Sequence, residues 1–234
     1  MPDHLRGPSG RGPNVRRWWV AVRDHPSAVL LVGQLLVVVA HPFLEPSAAG
    51  RAVLGVGQMA LVLTAVYVVR RTPALSWVAI TLGLPSMVFA VLEAVRPHTD
   101  WVVLVSAAVH VPFYFFVSYA MIRYLFHDDR VTRDELYATG AAFTVVAWAF
   151  AYLYAAVQVL WPGSFVGAGP PGDRPWFDLL FLSFTTLTSV GLSDVLPVEP
   201  HARSFVMVEQ VAGVLYVALV IARLVGLNAR RRAG

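Results

Sequence analysis

The sequence predicts an all-α membrane protein of six spans. A short re-entrant helix and a loop dip into the membrane between the fifth and sixth. Three observations carry this prediction. The 234 residues are 57% hydrophobic and 14% charged, with a mean hydropathy of +0.64, far from a soluble globular balance. Six apolar runs approach or exceed the roughly 20 residues that a helix needs to cross a bilayer. The 18 arginines, which are all of the basic residues, fall unevenly on the two sides that six spans define.

The first 24 residues carry Arg6, Arg11, Arg16, Arg17 and Arg23 among Pro and Gly. No apolar core with a small-residue cleavage site precedes the first long apolar run, so they read as a cytoplasmic tail. Trp18 and Trp19 fit an interfacial anchor. The spans then run over 27–44, 52–69, 74–95, 101–126, 136–161 and 202–227. Each stops at charge or proline: Glu45-Pro46, Arg70-Arg71, Arg96-Pro97, His127-Asp128, Pro162-Gly163 and Arg230-Arg231-Arg232. Residues 25–127 thus form a four-helix unit, 128–135 an amphipathic inner linker, 136–228 a second unit, and 229–234 a second cytoplasmic tail. With both termini inside, fourteen arginines lie on the inner side and four, Arg51, Arg96, Arg174 and Arg203, on the outer. That asymmetry orients the chain in a plasma (cell) membrane.

Between the last two spans lies a Gly/Pro-rich turret over 162–172, then an apolar run opening at Pro175 that is too short to cross. Asp173 is placed to cap it, with Pro175 in its first turn. The run ends in Thr185-Thr186-Leu187-Thr188-Ser189-Val190-Gly191-Leu192-Ser193-Asp194. Irregular backbone at membrane depth must be buried in protein or face water, because lipid offers its N–H and C=O groups no partners. A hydroxyl-rich loop between two long helices therefore points to a water-filled path. One loop per chain, with no internal repeat, points to several copies around an axis.

The segment Thr186 to Asp194 resembles the signature Thr-x-Thr-Thr-Val-Gly-Tyr-Gly-Asp of the tetrameric potassium-channel pore domains, and the likeness extends over about 141–227. Ser189, Leu192 and Ser193 stand where that pattern has Thr, Tyr and Gly, and Pro197 follows Asp194 by three residues. The resemblance implies a homotetramer in the lipid bilayer that passes potassium (or sodium), with no cofactor, catalysis, nucleic acid or small-molecule substrate. It implies ion-binding by Thr188, Ser189, Val190, Gly191, Leu192 and Ser193. The carbonyls of Ser189, Val190, Gly191 and Leu192 and the Ser189 hydroxyl would hold the ion. Asp194 and Glu199 would form an acidic outer mouth. On the sixth span, Gly213 reads either as a gating hinge or as a close helix contact. Glu209 reads as a hydrogen-bonder behind the pore helix, towards Thr185 or Thr186, or as a proton sensor. At helical spacing Gly213, Val217, Val220 and Leu224 would line the inner path, where an apolar ring could gate by dewetting.

The fourth span holds one arginine, Arg123, at its inner end, so conventional voltage sensing is not expected. Glu93 and His110 are polar exceptions within the spans. No regulatory domain is expected after the sixth. Two alternatives remain open: a weakly selective cation channel, since Leu192 and Ser193 depart from the pattern, and a non-conducting membrane scaffold of the same fold. No His/Asp/Glu cluster has metal or nucleophile spacing, so an enzyme is not expected.

Overall fold

The computed structural model describes residues 25–47, 49–51, 53, 54, 57, 60, 61, 64, 76–96, 99–125 and 133–233. Among these, the side chains at 76–80, 94, 124, 125, 133, 224 and 226–233 are not described. The tail over 1–24, most of the expected second span and residues 128–132 of the expected linker lie outside the described residues.

Six helices are fully bounded: α1 (Pro26–Leu44), α2 (Ser76–Val95), α3 (Asp100–Leu125), α4 (Arg133–Leu160), α5 (Trp176–Leu187) and α6 (Pro200–Ala233). Two short strands, β1 (Phe165–Val166) and β2 (Leu196–Pro197), pair antiparallel. Among the described residues, four helical stretches are long and apolar enough to cross a membrane: Pro26–Leu44, Asp100–Arg123, Asp134–Leu160 and Pro200–Arg223. Helical residues also occur between 49 and 64, within the expected second span. The α6 helix runs through the arginine triplet to Ala233, past the expected start of a tail at 229.

The centre of the packing is α4, which touches α1, α3, α5 and α6. Its sequence explains this. Ala138, Ala141, Ala142, Ala147, Ala149 and Ala151 are all buried. Small side chains let neighbouring backbones approach closely where no hydrophobic force drives helices together. Larger residues of α4, Trp148 and Tyr152, reach into an aromatic cluster with Tyr114 of α3 and Trp176 of α5. This cluster joins the first unit to the base of the short helix.

Several polar groups inside the first unit pair locally, while Gln34 Oε1 of α1 is buried without a hydrogen-bond partner among the described residues. Ser106 Oγ donates to Glu93 Oε2 at 2.8 Å, and His110 Nδ1 lies 2.9 Å from the Ser106 carbonyl, which can only accept. The His110 ring stacks on Tyr152 at 4.3 Å. At the start of α4, Asp134 accepts from Ser27 N and Ser27 Oγ at 3.1 and 2.9 Å. A carboxylate from α4 therefore caps the N-terminus of α1.

Candidate functional site

The short helix α5 is apolar on the face that meets α4, burying Leu179, Leu180, Leu182 and Leu187. Pro175 is its N-cap, one position earlier than the first-turn place expected, and no side chain caps it. The expected Asp173 cap is thus corrected. The segment before the helix is held another way. Gln158 of α4 brackets Arg174, accepting from its N–H and donating to its carbonyl, both at 3.0 Å. The Arg174 guanidinium donates to the carbonyls of Ala168, Pro170 and Gly172. One arginine thus gathers the turret, whose backbone would otherwise lack partners.

The C-terminal end of α5 has a defined motif. Thr188 is the C-cap. Ser189 takes a φ of 60° in the left-handed region, where glycine is usual. Its N–H donates to the Thr186 carbonyl at 2.9 Å, and Val190 N–H donates to Thr185 at 3.0 Å. This pair of bonds is a Schellman ending. Gly191, with φ 68°, also donates its N–H to Thr185 at 3.0 Å. Three consecutive loop amides thus turn back onto the helix. Among the described residues, no carbonyl from Ser189 to Ser193 accepts a hydrogen bond. Thr188, Ser189, Val190, Gly191 and Leu192 are exposed in the single chain, Leu192 at 74%.

Beyond the loop, Ser193 Oγ accepts from Val195 N–H at 3.0 Å and Asp194 is exposed. The chain then enters β2, latched to the turret by the β1 pairing and by Val198 N–H to Ser164 O at 3.0 Å. Glu199 is exposed at the head of α6. Asp178, in the first turn of α5, has its carboxyl held above the ordinary range, chiefly by burial and then by the negative charge of Asp194, with Arg174 opposing. A cavity of about 380 Å³ opens beside the turret, lined from α1 to α5 by residues that include Glu93 and Trp176, but no loop residue lines it.

Behind the loop, the α6 residues that meet α4 and α5 include Ala202, Val206, Glu209, Gly213 and Tyr216, with Phe205 and Ala212 beside them. Glu209 is fully buried. Its carboxyl meets Tyr154 Oη of α4 and Ser183 Oγ of α5, not Thr185 or Thr186. Thr185 Oγ1 donates to the Leu182 carbonyl instead. Gly213 packs on the carbonyl of Leu187, the last residue of α5. A Cβ there would lie 2.9 Å from the Leu187 carbonyl carbon and closer still to its oxygen. Tyr216 donates to the Thr139 carbonyl of α4. Val217 is exposed, Val220 is partly buried, and the Leu224 side chain is outside the described ones. Gly213 and Glu209 therefore sit on the packed face, and Val217 does not.

Sequence reasoning found the helix end, the loop and the two packed α6 residues. It missed Tyr154, Ser183, Gln158 and Arg174. The signal for Gln158 was a lone amide near the end of a span. Tyr154 and Ser183 had none beyond the need of Glu209 for partners.

The site is thus a short apolar helix, a loop whose carbonyls accept no hydrogen bond among the described residues, and a long helix packed behind both. Residues 140–229 match the model of a family described as "Ion channel". No curated protein and no solved structure matches the chain. The match and the four membrane-length helices support a membrane protein of channel function, and point to transport rather than catalysis.

Proposed function

We propose that the chain is one quarter of a homotetrameric potassium channel, with six spans, both termini cytoplasmic, in the plasma (cell) membrane. What supports this most is the loop backbone. Amides of Ser189, Val190 and Gly191 are committed to the end of α5, while the carbonyls of Ser189 to Ser193 have no partner among the described residues. A dehydrated cation needs oxygens to replace its water shell, and stacked carbonyls supply them. In this reading Ser189, Val190, Gly191 and Leu192 give carbonyl ligands, Ser189 adds its hydroxyl, and Thr188 and Ser193 bound the site. The negative end of the α5 dipole favours a cation below the loop. Asp194 and Glu199 in four copies concentrate cations at the outer mouth. Glu209 and Gly213 couple the inner helix to the loop, and Val217, Val220 and Leu224 line the inner path. With Arg123 alone in α3, the membrane potential does little work on the protein, about 2.3 kcal/mol per charge per 100 mV.

One observation favours a second reading, a weakly selective pore. The left-handed backbone positions are Ser189 and Gly191, and Ser193 is not among them. The loop thus departs from the resembled pattern at its outer end, where Leu192 also lacks a hydroxyl. Purified protein in liposomes under mixed potassium and sodium separates these. A reversal potential near the potassium equilibrium value supports the first reading. One midway supports the second, and no flux at all supports a non-conducting scaffold.

A further inference from the structure

The carboxyl of Glu209 sits at the junction of three helices and admits a proton count. Ser183 Oγ lies 2.9 Å from the Ala147 carbonyl of α4 and within hydrogen-bond reach of Glu209 Oε1. A serine hydroxyl carries one proton and two lone pairs, whereas a carbonyl can only accept. The Ala147 contact therefore uses the serine proton. The contact with Glu209 is then a hydrogen bond only if the carboxyl donates. On the other oxygen, Tyr154 donates its hydroxyl proton to Oε2. Were Glu209 ionised, Ser183 would have to abandon Ala147, leaving two sets of lone pairs facing each other. The charge would also be wholly buried, and no arginine or histidine lies within ion-pair distance of it among the described residues. An unpaired buried charge at that depth is strongly disfavoured. The titratable group packed on it among the described residues is Tyr154 from α4. Ser183 from α5 is its other polar neighbour.

We infer that Glu209 is a neutral carboxylic acid whose own proton, donated to Ser183, locks α6 to α5 and α4 behind the loop. It is a positioning residue. Four residues further along α6, Gly213 rests on the Leu187 carbonyl, so the lock fixes where the inner helix meets the end of the pore helix. The proton count does not depend on the channel reading. Only the consequence for conduction rests on it.

An amide is the natural test, because Gln can donate to Ser183 and accept from Tyr154 without a charge. Infrared spectra of the full-length protein in lipid should show a protonated-carboxyl C=O band that persists from mildly acidic to mildly alkaline pH and disappears in Glu209→Gln. That variant should melt close to the parent protein. Glu209→Ala, which leaves Ser183 and Tyr154 without their partner, should melt lower by roughly 5 °C or more. Absence of the band from the parent protein, or a Gln variant that melts like the Ala variant, overturns the inference. If Glu209→Ala does not fold, the band and the Gln variant still decide. A parent protein without flux would defeat the channel reading while leaving both of these measurements readable.

Discussion

Ser189 occupies a backbone position that glycine fills in most helix endings of this kind, and it does so with φ at 60°. The non-glycine residue costs on the order of 1 kcal/mol there, offset by two returning amide bonds. The resembled pattern has its glycine at the place of Ser193, which does not take a positive φ. Hydroxyl chemistry was legible from residue type, but backbone handedness was not, since it depends on which amides reach the helix end. Asp178 gives a prediction at the same scale. Its carboxyl is held high by burial first and by Asp194 second, so the folded protein binds a proton that the unfolded chain has already released. Stability from this group is present below the unfolded value and is lost as pH rises through the folded one. Thermal melts from acidic to neutral pH should show the decline, and Asp178→Asn should flatten it. An unchanged profile in the variant would remove Asp178 from the account.

Helices were the most legible level, because apolar length and charged stops are recorded in the residues themselves. The expected 27–44 and 136–161, and the short run opening at Pro175, stand against observed Pro26–Leu44, Arg133–Leu160 and Trp176–Leu187. Contacts between helices were less legible. Gly213 allowed two readings, and the geometry displays a close contact with the Leu187 carbonyl. Glu209 was recognised as a buried acid, yet its partners lie on two other helices, at sequence distances of 26 and 55 residues. No local pattern reports such pairings. Gly213→Ala should force α6 away from the end of α5, costing about 1–3 kcal/mol as overpacking usually does. A lowered melting midpoint, with altered flux, is the expected outcome. A variant indistinguishable from the parent would mean that α6 does not bear on α5 there.

The whole molecule leaves α6 uncovered. Only 17% of its most apolar stretch is buried, against 67% for α4. Met207, Val211, Val214 and Val225 are exposed along it, as are Val190 and Leu192 on the loop. Lipid can cover the helix, but it cannot serve the free loop carbonyls. Further copies of the chain and a permeant ion would meet both needs, which is why the central claim concerns an assembly. The most direct measurement is a density map of the protein in lipid with potassium, repeated in sodium. Four chains around one axis are expected, with ion density between the carbonyls of Ser189 to Leu192 that changes when sodium replaces potassium. A monomer or dimer, or an axis plugged by side chains with no ion density, would contradict it.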